Sequence, residues 1–219
     1  MAINVAIDGP AGAGKSTIAK AVAAKKGYVY VDTGAMYRAM ALYFIRAGVS
    51  SDDEKAVASM VDDIKVSIKY EDGQQHVILN DEDVTGLIRT EAVGNMASAT
   101  SVYGPVRTKL VALQQELAKT TDVIMDGRDI GTVVLPNADV KIFLTASVEC
   151  RAKRRYDELV AKGQEADFDQ IAKDIEERDY RDSHREISPL KQAEDAVLVD
   201  SSDMTIDEVV STIINLCDK

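Results

Sequence analysis

The feature that most constrains the fold is a glycine-rich segment near the start of the chain. Residues 9–16 read GPAGAGKS and fit the pattern G-x-x-x-x-G-K-S in full. An apolar run at residues 3–7, ending at Asp8, precedes the segment, and a helical pattern follows from Lys15 to Lys26. Glycines let the main chain wrap closely around an anion, and the helix adds its positive N-terminal end. The segment therefore predicts a phosphate-binding loop between a strand and a helix, as found in α/β folds.

The residue types of this loop indicate what it binds. Lys15 is expected to reach the β- and γ-phosphates of a nucleotide, and the Ser16 hydroxyl is expected to ligate Mg²⁺. A glycine-rich turn without a ligand is the alternative interpretation. The chain has no Asn-Lys-x-Asp element for reading guanine, which argues against a GTPase and leaves the small ATP-dependent kinases. The residues predicted to bind ATP are Gly9, Pro10, Ala11, Gly12, Ala13, Gly14, Lys15, Ser16 and Thr17.

Strand and helix signals alternate along most of the chain. Besides the first run, apolar runs at residues 28–31, 122–126, 140–144 and 197–199 predict strands, and residues 206–216 predict a closing helix. Short strands that are apolar on both faces are typical of a parallel sheet covered by helices. We therefore predict a three-layer α/β/α fold of the P-loop NTP hydrolase type, with a five-stranded parallel sheet.

The segment that begins at Ser51 breaks this alternation. A helix is predicted to open there, with Ser51 and Glu54 in capping-box spacing. Two alternating runs follow, at residues 66–70 and 76–79, on either side of an Asp-Gly pair at residues 72–73, and they predict an antiparallel hairpin. Because an antiparallel hairpin does not belong inside a parallel sheet, we predict an inserted α+β subdomain.

Charge limits the partners of the chain. The formal net charge is −11 and the pI is near 4.7, so the molecule as a whole repels a polyanion such as DNA. Six of the eleven arginines nevertheless lie between Arg151 and Arg185. An acidic protein that gathers arginines in one stretch is suited to clamping a small anion. We therefore predict small-molecule substrates and no nucleic-acid partner.

Cysteine usage and hydropathy bear on location. Cys150 and Cys217 have neither paired nor metal-ligand spacing, which fits a reducing compartment. The sequence shows no signal-peptide pattern and no apolar stretch of membrane-spanning length. We predict a cytoplasmic protein with no membrane partner, and we expect a monomer.

Two more strand ends carry polar side chains. Residues 126–129, DGRD, follow the third predicted strand, and ligands of open α/β sheets bind at the carboxyl ends of the strands. Asp126 is suited to holding a metal ion through water and Arg128 to contacting a phosphate, unless acid and arginine simply pair within a local turn. Thr33 and Arg38 follow the second predicted strand and so lie at the same edge. The alternatives to a ligand-binding role are a plain helix N-cap for Thr33 and a solvated helix residue for Arg38.

The clustered arginines fall into two groups that share helix faces through i, i+3 and i+4 spacing. The groups are Arg151, Arg154 and Arg155, and then Arg178, Arg181 and Arg185, with Asp182 on the same stripe as the second group. Salt bridges to nearby glutamates are the alternative, but each such pair is worth only ~0.3–0.5 kcal/mol. Phosphoryl transfer gives a stronger reason, because guanidinium groups stabilise the charge that spreads over the transferred phosphate.

Taken together, these motifs resemble those of the bacterial cytidylate kinases over nearly the full length, including the inserted hairpin. The resemblance is carried by the phosphate loop, by DTGAMYR at residues 32–38, by DGRDIGT at residues 126–132 and by RDYRDSHR at residues 178–185. It implies transfer of the γ-phosphoryl group of ATP-Mg to CMP or dCMP. It also implies three parts: a P-loop core (residues 1–33, 103–150 and 185–219), a monophosphate-binding domain (residues 34–102) and a helical lid (residues 151–184).

The resemblance also implies roles for individual residues. The cytosine readers would be Thr33, Arg107 and Asp129, and the contacts to the CMP phosphate would be Arg38, Arg128 and Arg178, with Arg185 a further arginine on that side. Ser98 and Asp182 would contact sugar hydroxyls, and Arg154 matches the lid. The implied catalytic residues are Lys15, Arg128, Arg154, Arg178 and Arg185, and the implied metal site is Ser16 with Asp126. Some relatives have serine at the position of Thr33, so this chain retains the hydroxyl group and adds a methyl group.

Cytosine recognition has a physical basis of its own. Cytosine presents an amino donor at N4 and an acceptor at N3, and uracil presents the reverse pattern. Asp129 can accept from N4 while Arg107 donates toward N3 and O2. The open alternatives are a thymidylate or shikimate kinase with another acceptor pocket, and a regulatory protein in which ATP drives a conformational change. Tyr28 and Tyr30 are expected to contribute packing.

Overall fold

The computed structural model describes residues 2–71 and 74–218, and they form two compact units. One unit comprises the described residues of Met1–Tyr30 and Thr121–Lys219, and the other comprises those of Val31–Thr120. These boundaries differ from the implied ones after residues 33 and 102. The functional division into core, monophosphate-binding domain and lid stays a prediction.

The helices and strands follow one another in an alternating order that one segment interrupts. In chain order they are β1 (Asn4–Asp8), α1 (Lys15–Lys26), β2 (Val29–Asp32), α2 (Thr33–Arg46), α3 (Glu54–Met60), β3 (Val66–Glu71), β4 (Gln74–Leu79), β5 (Glu82–Asp83), α4 (Glu91–Thr100), α5 (Gly104–Ala118), β6 (Val123–Gly127), β7 (Val140–Thr145), α6 (Val148–Ala161), α7 (Phe168–His184), β8 (Val197–Asp200) and α8 (Ile206–Cys217). A 3₁₀ turn at Val61–Asp63 follows α3, and a π-helical turn at Ile130–Val134 follows β6.

The main sheet has five strands in the order β2-β6-β1-β7-β8. The pairs β1–β6, β1–β7 and β7–β8 are parallel. The predicted five-stranded parallel sheet is therefore confirmed, with strand ends within about two residues of the predicted ones, the usual scatter at element ends. In this register, Asp8 at the end of β1 lies opposite Gly127 at the end of β6, so the segments that leave these two strands start side by side.

Continuous apolar runs explain why these strands lie in the centre of the sheet. Ile7, Ile124 and Ile142 are buried on three adjacent strands. Ile18 of α1 and Val210 of α8 belong to the same hydrophobic core, which the two helices cover. Burying one such aliphatic side chain contributes about 1.5–3 kcal/mol, so the strand ends are held on a rigid base.

The second unit contains the predicted hairpin. β3 and β4 pair antiparallel with Val66 opposite Leu79 and Glu71 opposite Gln74, and β5 adds a short third strand to β4. The hairpin is thus confirmed, while its predicted Asp-Gly turn at residues 72–73 lies outside the described residues. Helix α2 packs against β4 and α4.

The predicted capping box at Ser51 is wrong. Helix α3 begins at Glu54, and the side chain of Asp53 accepts a hydrogen bond from Ala56 N at 3.0 Å. An aspartate caps a helix as well as a serine does, and Asp53 stands directly before the first helical residue. The carbonyl of Ser51 instead accepts a hydrogen bond from the Tyr103 hydroxyl at 2.7 Å.

A search of the described helices for one both long and apolar enough to cross a bilayer found none.

Candidate active site

The loop after β1 has a backbone that only glycine tolerates. Gly12 and Gly14 have φ values of +77° and +87°, in the left-handed region that L side chains rarely adopt. Gly9 has no room for a side chain, because a Cβ there would overlap the carbonyl oxygen of Leu144 on β7. Helix α1 begins directly after Gly14, so its N-terminal N–H groups add to those of the loop. This geometry suits a bound anion.

Lys15 is the buried cation of the loop, with only 6% of its surface exposed. Its Nζ donates a hydrogen bond to the carbonyl of Pro10 at 2.7 Å. Burial is the main cause that lowers the pKa of Lys15 to about 7, and the positive charge of Arg128 adds to it. The carboxylates of Asp126, Asp8 and Asp182 act in the opposite direction. An anion bound here would favour the charged form, because an opposite charge offsets the desolvation of the ammonium group.

A second cluster joins the first turn of α1 to the end of β6. Ser16 Oγ donates to Asp126 Oδ2 at 2.9 Å, and the hydroxyl of Tyr30 donates to Asp126 Oδ1 at 2.8 Å. Serine and carboxylate oxygens are hard ligands of the kind that Mg²⁺ prefers. Within the described part of the chain, no three His, Cys, Asp or Glu side chains gather to form a metal cage. The residues fit a Mg²⁺ ion that takes one or two protein ligands and completes its shell with phosphate and water.

Tyr30 is one functional candidate that the sequence analysis missed, since we expected it only to pack. Its strand β2 lies beside β6, so the hydroxyl reaches across the sheet to Asp126. A polar tip at the end of a mostly buried aromatic ring was the available signal, because a buried phenol needs a partner.

Asp8 is the second missed candidate. Its two carboxylate oxygens accept hydrogen bonds from Ile130 N and Gly131 N, each at 2.7 Å. Burial raises the pKa of Asp8 to about 6, with the charge of Asp129 adding to the effect, while the two main-chain hydrogen bonds and Lys15 oppose it. Asp8 thus fixes the main chain that directly follows Asp129. An acid at the carboxyl end of a central strand was the sequence signal.

The arginine of the DGRD segment pairs with α7 and not within a local turn. Arg128 Nε donates to Asp182 Oδ2 at 2.8 Å, and both side chains are mostly buried. Burial acts to raise the pKa of Asp182, but Arg128, Arg178 and Arg185 outweigh it and leave that pKa lowered. These three arginines therefore act on one ionised carboxylate.

Arg185 lies beside the second acid of the segment. Its Nη2 is 3.7 Å from Asp129 Oδ1, and its Nε donates to the carbonyl of Ser188 at 2.5 Å. The first unit thus places Asp129, Arg185 and the Arg128–Asp182 pair around the end of β6.

The three arginines predicted to share one face of α6 have separate environments. Arg151, 4% exposed, donates to the carbonyl of Ala11 in the loop at 3.0 Å and binds both carboxylate oxygens of Asp179 on α7 at 2.6 and 3.1 Å. Arg151 therefore ties α7 to the phosphate loop. The salt-bridge alternative is correct for exposed Arg155, which pairs with Glu158 at 2.9 Å.

Arg154 is exposed, as Arg155 is, but it contacts residues outside its own helix. Its Nη2 donates to the carbonyl of Ser201 at 2.8 Å, and its Nη1 lies 3.9 Å from the place that a Cβ on Gly14 would occupy. Arg154 is therefore the arginine of α6 that borders the loop backbone at Gly14. Thr17 is exposed on the first turn of α1.

The remaining predicted residues lie in the second unit. Thr33 is the first residue of α2 and is buried, but the N-cap is Asp32, whose carboxylate accepts from Ala35 N at 2.9 Å and from Arg89 Nη2 at 2.6 Å. Thr33 as a plain N-cap is thus wrong, because Asp32 already fills that position. Arg38 lies one turn further along the same helix, with Nη1 3.4 Å from a Cβ built on Gly34.

Arg107 and Ser98 come from the last two helices of the second unit. Arg107 on α5 is buried, donates to the carbonyl of Ser101 at 3.2 Å and lies 5.8 Å from the ring centre of Tyr37. Ser98 on α4 offers its carbonyl to the hydroxyl of Ser101 at 2.9 Å. The roles of all these residues in binding CMP stay predictions.

Comparison with known proteins places the chain in a family. Residues 5–219 match the family model described as cytidylate kinase. The cytidylate kinase of Ligilactobacillus salivarius is 52% identical over 217 residues, covering 99% of this chain and 97% of that protein. The cytidylate kinase of Leuconostoc mesenteroides subsp. mesenteroides is 53% identical over 213 residues, covering 97% and 95%.

Solved structures agree on the fold. An uncharacterized protein from Eubacterium ventriosum has a TM-score of 0.53 at 14% identity, covering 100% of this chain and 99% of that chain. A shikimate kinase from Bacteroides thetaiotaomicron has a TM-score of 0.50 at 14% identity, covering 99% of each chain. At 14% identity, these likenesses support the α/β fold and give no information on the substrate. The family match and the full-length relatives confirm the resemblance seen in the sequence: this chain belongs to the cytidylate kinase family.

Proposed function

We propose that the chain is a cytidylate kinase that transfers the γ-phosphoryl group of ATP to CMP or dCMP, giving ADP and CDP or dCDP in pyrimidine nucleotide metabolism. The observation that carries this proposal is the register of β1 and β6, with Asp8 opposite Gly127. The phosphate loop leaves β1 after Asp8, and Arg128 and Asp129 leave β6 after Gly127. Donor-binding and acceptor-binding groups therefore start from neighbouring strand ends, where α/β enzymes bind their ligands.

On the donor side, the chain supplies main-chain N–H groups and one ammonium group. The loop N–H groups hold the phosphates of ATP, and Lys15 carries its charge to the β- and γ-phosphates. Because the unligated site lowers the pKa of Lys15 to about 7, ATP binding near neutral pH draws a proton onto this side chain.

Mg²⁺ is the expected cofactor. Ser16 and Asp126 would hold it, and when bound it would neutralise part of the charge on the β- and γ-phosphates.

On the acceptor side, Arg38, Arg128 and Arg178 hold the CMP phosphate, and Arg185 is a further arginine on that side. The charge on the transferred group is stabilised by Arg128, Arg154, Arg178 and Arg185. Planar guanidinium groups match phosphate oxygens in pairs, and the arrangement needs no general base, since positioning and electrostatics supply most of the rate. Asp182 holds Arg128 by a hydrogen bond of 2.8 Å, which limits the rotamers open to the arginine. Ser98 and Asp182 contact sugar hydroxyls.

Selectivity for cytosine comes from Asp129, Arg107 and Thr33. A carboxylate accepts from the N4 amino group of cytosine, whereas the O4 of uracil would meet it as a second acceptor. A buried site that loses its hydrogen bonds to the wrong base can discriminate by roughly 10⁴. The free thiols of Cys150 and Cys217 agree with the cytoplasmic location that we also infer.

The test is ADP release from ATP and Mg²⁺ with CMP, dCMP, UMP, AMP, dTMP or shikimate as the acceptor. Turnover with CMP and dCMP and little with the others is expected. Turnover with dTMP or shikimate alone would replace the assigned acceptor, and acceptor-independent hydrolysis would favour a regulatory ATPase.

A further inference from the structure

Tyr30 is a buried polar residue beside the phosphate loop to which the proposed function gives no role. Only 9% of its surface is exposed, and its hydroxyl lies 2.8 Å from Asp126 Oδ1. The other oxygen of the same carboxylate, Oδ2, lies 2.9 Å from Ser16 Oγ. Two hydroxyl groups from two different elements, β2 and α1, thus donate to opposite oxygens of Asp126.

This double contact fixes the plane of the carboxylate. The terminal torsion of an aspartate is broad, so one hydrogen bond alone leaves the group free to rotate. With both oxygens engaged, Oδ2 stays aimed at Ser16. Because Ser16 gives its proton to Oδ2, its lone pairs point away from Asp126 and remain available to a cation.

A packing role for the phenol is the competing explanation. A buried tyrosine needs a hydrogen-bond partner, and Asp126 would then serve Tyr30 rather than the reverse. Tyr28 provides the comparison, because its half-buried ring packs against the same core and has a lysine over its face, Lys26 Nζ at 5.7 Å, as Tyr30 has Lys20 Nζ at 5.5 Å. Removing a hydroxyl from each tyrosine separates the two explanations.

We propose that Tyr30 is a positioning residue for the magnesium site, where it holds Asp126 in the orientation that keeps Ser16 ready to ligate the ion. This inference rests on the assignment of Ser16 and Asp126 as the metal site in the proposed function. It assigns no contact between Tyr30 and the ion or the nucleotide.

The experiment measures ADP binding by calorimetry in excess EDTA and at saturating Mg²⁺, so that no acceptor or turnover is involved. The readout is the dissociation constant in EDTA divided by the dissociation constant in Mg²⁺, which measures how much the ion strengthens ADP binding. Outer partners of metal ligands commonly contribute about 10- to 100-fold to metal affinity, so Tyr30→Phe should lower this ratio by at least about tenfold and change the metal-free constant less than about twofold. Tyr28→Phe should leave both constants as in the wild type.

Ser16→Ala provides the reference for a lost ligand, and the double variant Tyr30→Phe/Ser16→Ala should bind no more weakly than Ser16→Ala alone. Equal weakening with and without Mg²⁺ in Tyr30→Phe would overturn the proposal in favour of packing. A wild-type ratio in Tyr30→Phe alongside a reduced ratio in Ser16→Ala would overturn it while leaving the metal site intact. A wild-type ratio in Ser16→Ala would overturn both the role of Tyr30 and the assignment of the metal site, whatever acceptor the enzyme phosphorylates.

Discussion

Replacing Lys15 by methionine should make the unligated protein more stable while nearly abolishing turnover. The folded state holds this ammonium group in a buried site, where its pKa falls from 10.5 to about 7. One pKa unit corresponds to about 1.4 kcal/mol, so the charged lysine carries a penalty of at most about 4–5 kcal/mol at pH 7. Methionine keeps the straight stem but leaves the Pro10 carbonyl without its hydrogen bond, which costs about 1–3 kcal/mol.

The difference of these terms predicts that Lys15→Met raises the free energy of unfolding by roughly 1–3 kcal/mol at pH 7, or the melting temperature by about 3–10 °C. The size of this stability difference depends on pH. Below about pH 7 the lysine is protonated in both states and the penalty is full, whereas between pH 7 and 10.5 the unfolded chain binds a proton that the folded protein has released. Wild-type stability therefore rises with pH in this range.

Urea unfolding of both proteins at pH 7 and pH 9, followed by circular dichroism, measures the effect. The advantage of the variant should shrink by about 2 kcal/mol between the two pH values. Lys25→Met, an exposed lysine of the same helix, is the control and should change stability by less than about 0.5 kcal/mol. A variant that is less stable than the wild type by the same amount at both pH values would show that Lys15 carries no burial penalty. Wild-type kcat in Lys15→Met would refute its role in turnover.

Three further substitutions test other parts of the site. Asp129→Ala should lower kcat/KM for CMP by at least about 100-fold and change ATP affinity less than about twofold, because its carboxylate is assigned to the acceptor base and not to the donor; equal losses for both would contradict this. Asp8→Asn should raise the KM for CMP several-fold, because an amide cannot accept from both Ile130 N and Gly131 N, and an unchanged KM would show that this turn needs no such support. Asp179→Ala should lower the free energy of unfolding by about 1–3 kcal/mol in urea titrations, since it leaves buried Arg151 without its carboxylate, and a change below about 0.5 kcal/mol would mean that the loop carbonyls suffice.

The parts of the fold that sequence reasoning predicted are those specified locally. Short apolar runs marked all five strands of the main sheet, and the glycine pattern marked the loop before α1. The hairpin followed from its alternating pattern. The two-residue strand β5 was not predicted, because so short a segment has no detectable periodicity. The cap of α3 was misplaced because the segment offers serine and aspartate in near succession, and both are good caps.

The parts of the site that the sequence did not predict are contacts between distant residues. Tyr30 and Asp126 are 96 positions apart, and Asp8 and Ile130 are 122 apart. The spacing of Arg151 and Arg155 on one helix was evident, and Arg155 pairs with Glu158 of the same helix, but the partners of Arg151 depend on how α6 packs on α7 and the loop. Tertiary packing alone decides which arginine is buried as a structural tie and which remains at the surface.

Cytosine-selective phosphoryl transfer is tested most simply by a competition in one tube. CMP and UMP at equal concentration, with limiting ATP and Mg²⁺, are incubated with the enzyme, and the nucleoside diphosphates are separated by chromatography. We expect CDP to accumulate in large excess over UDP, and Asp129→Ala to remove most of that excess. Equal formation of CDP and UDP, or ADP formation without either product, would contradict the proposed function.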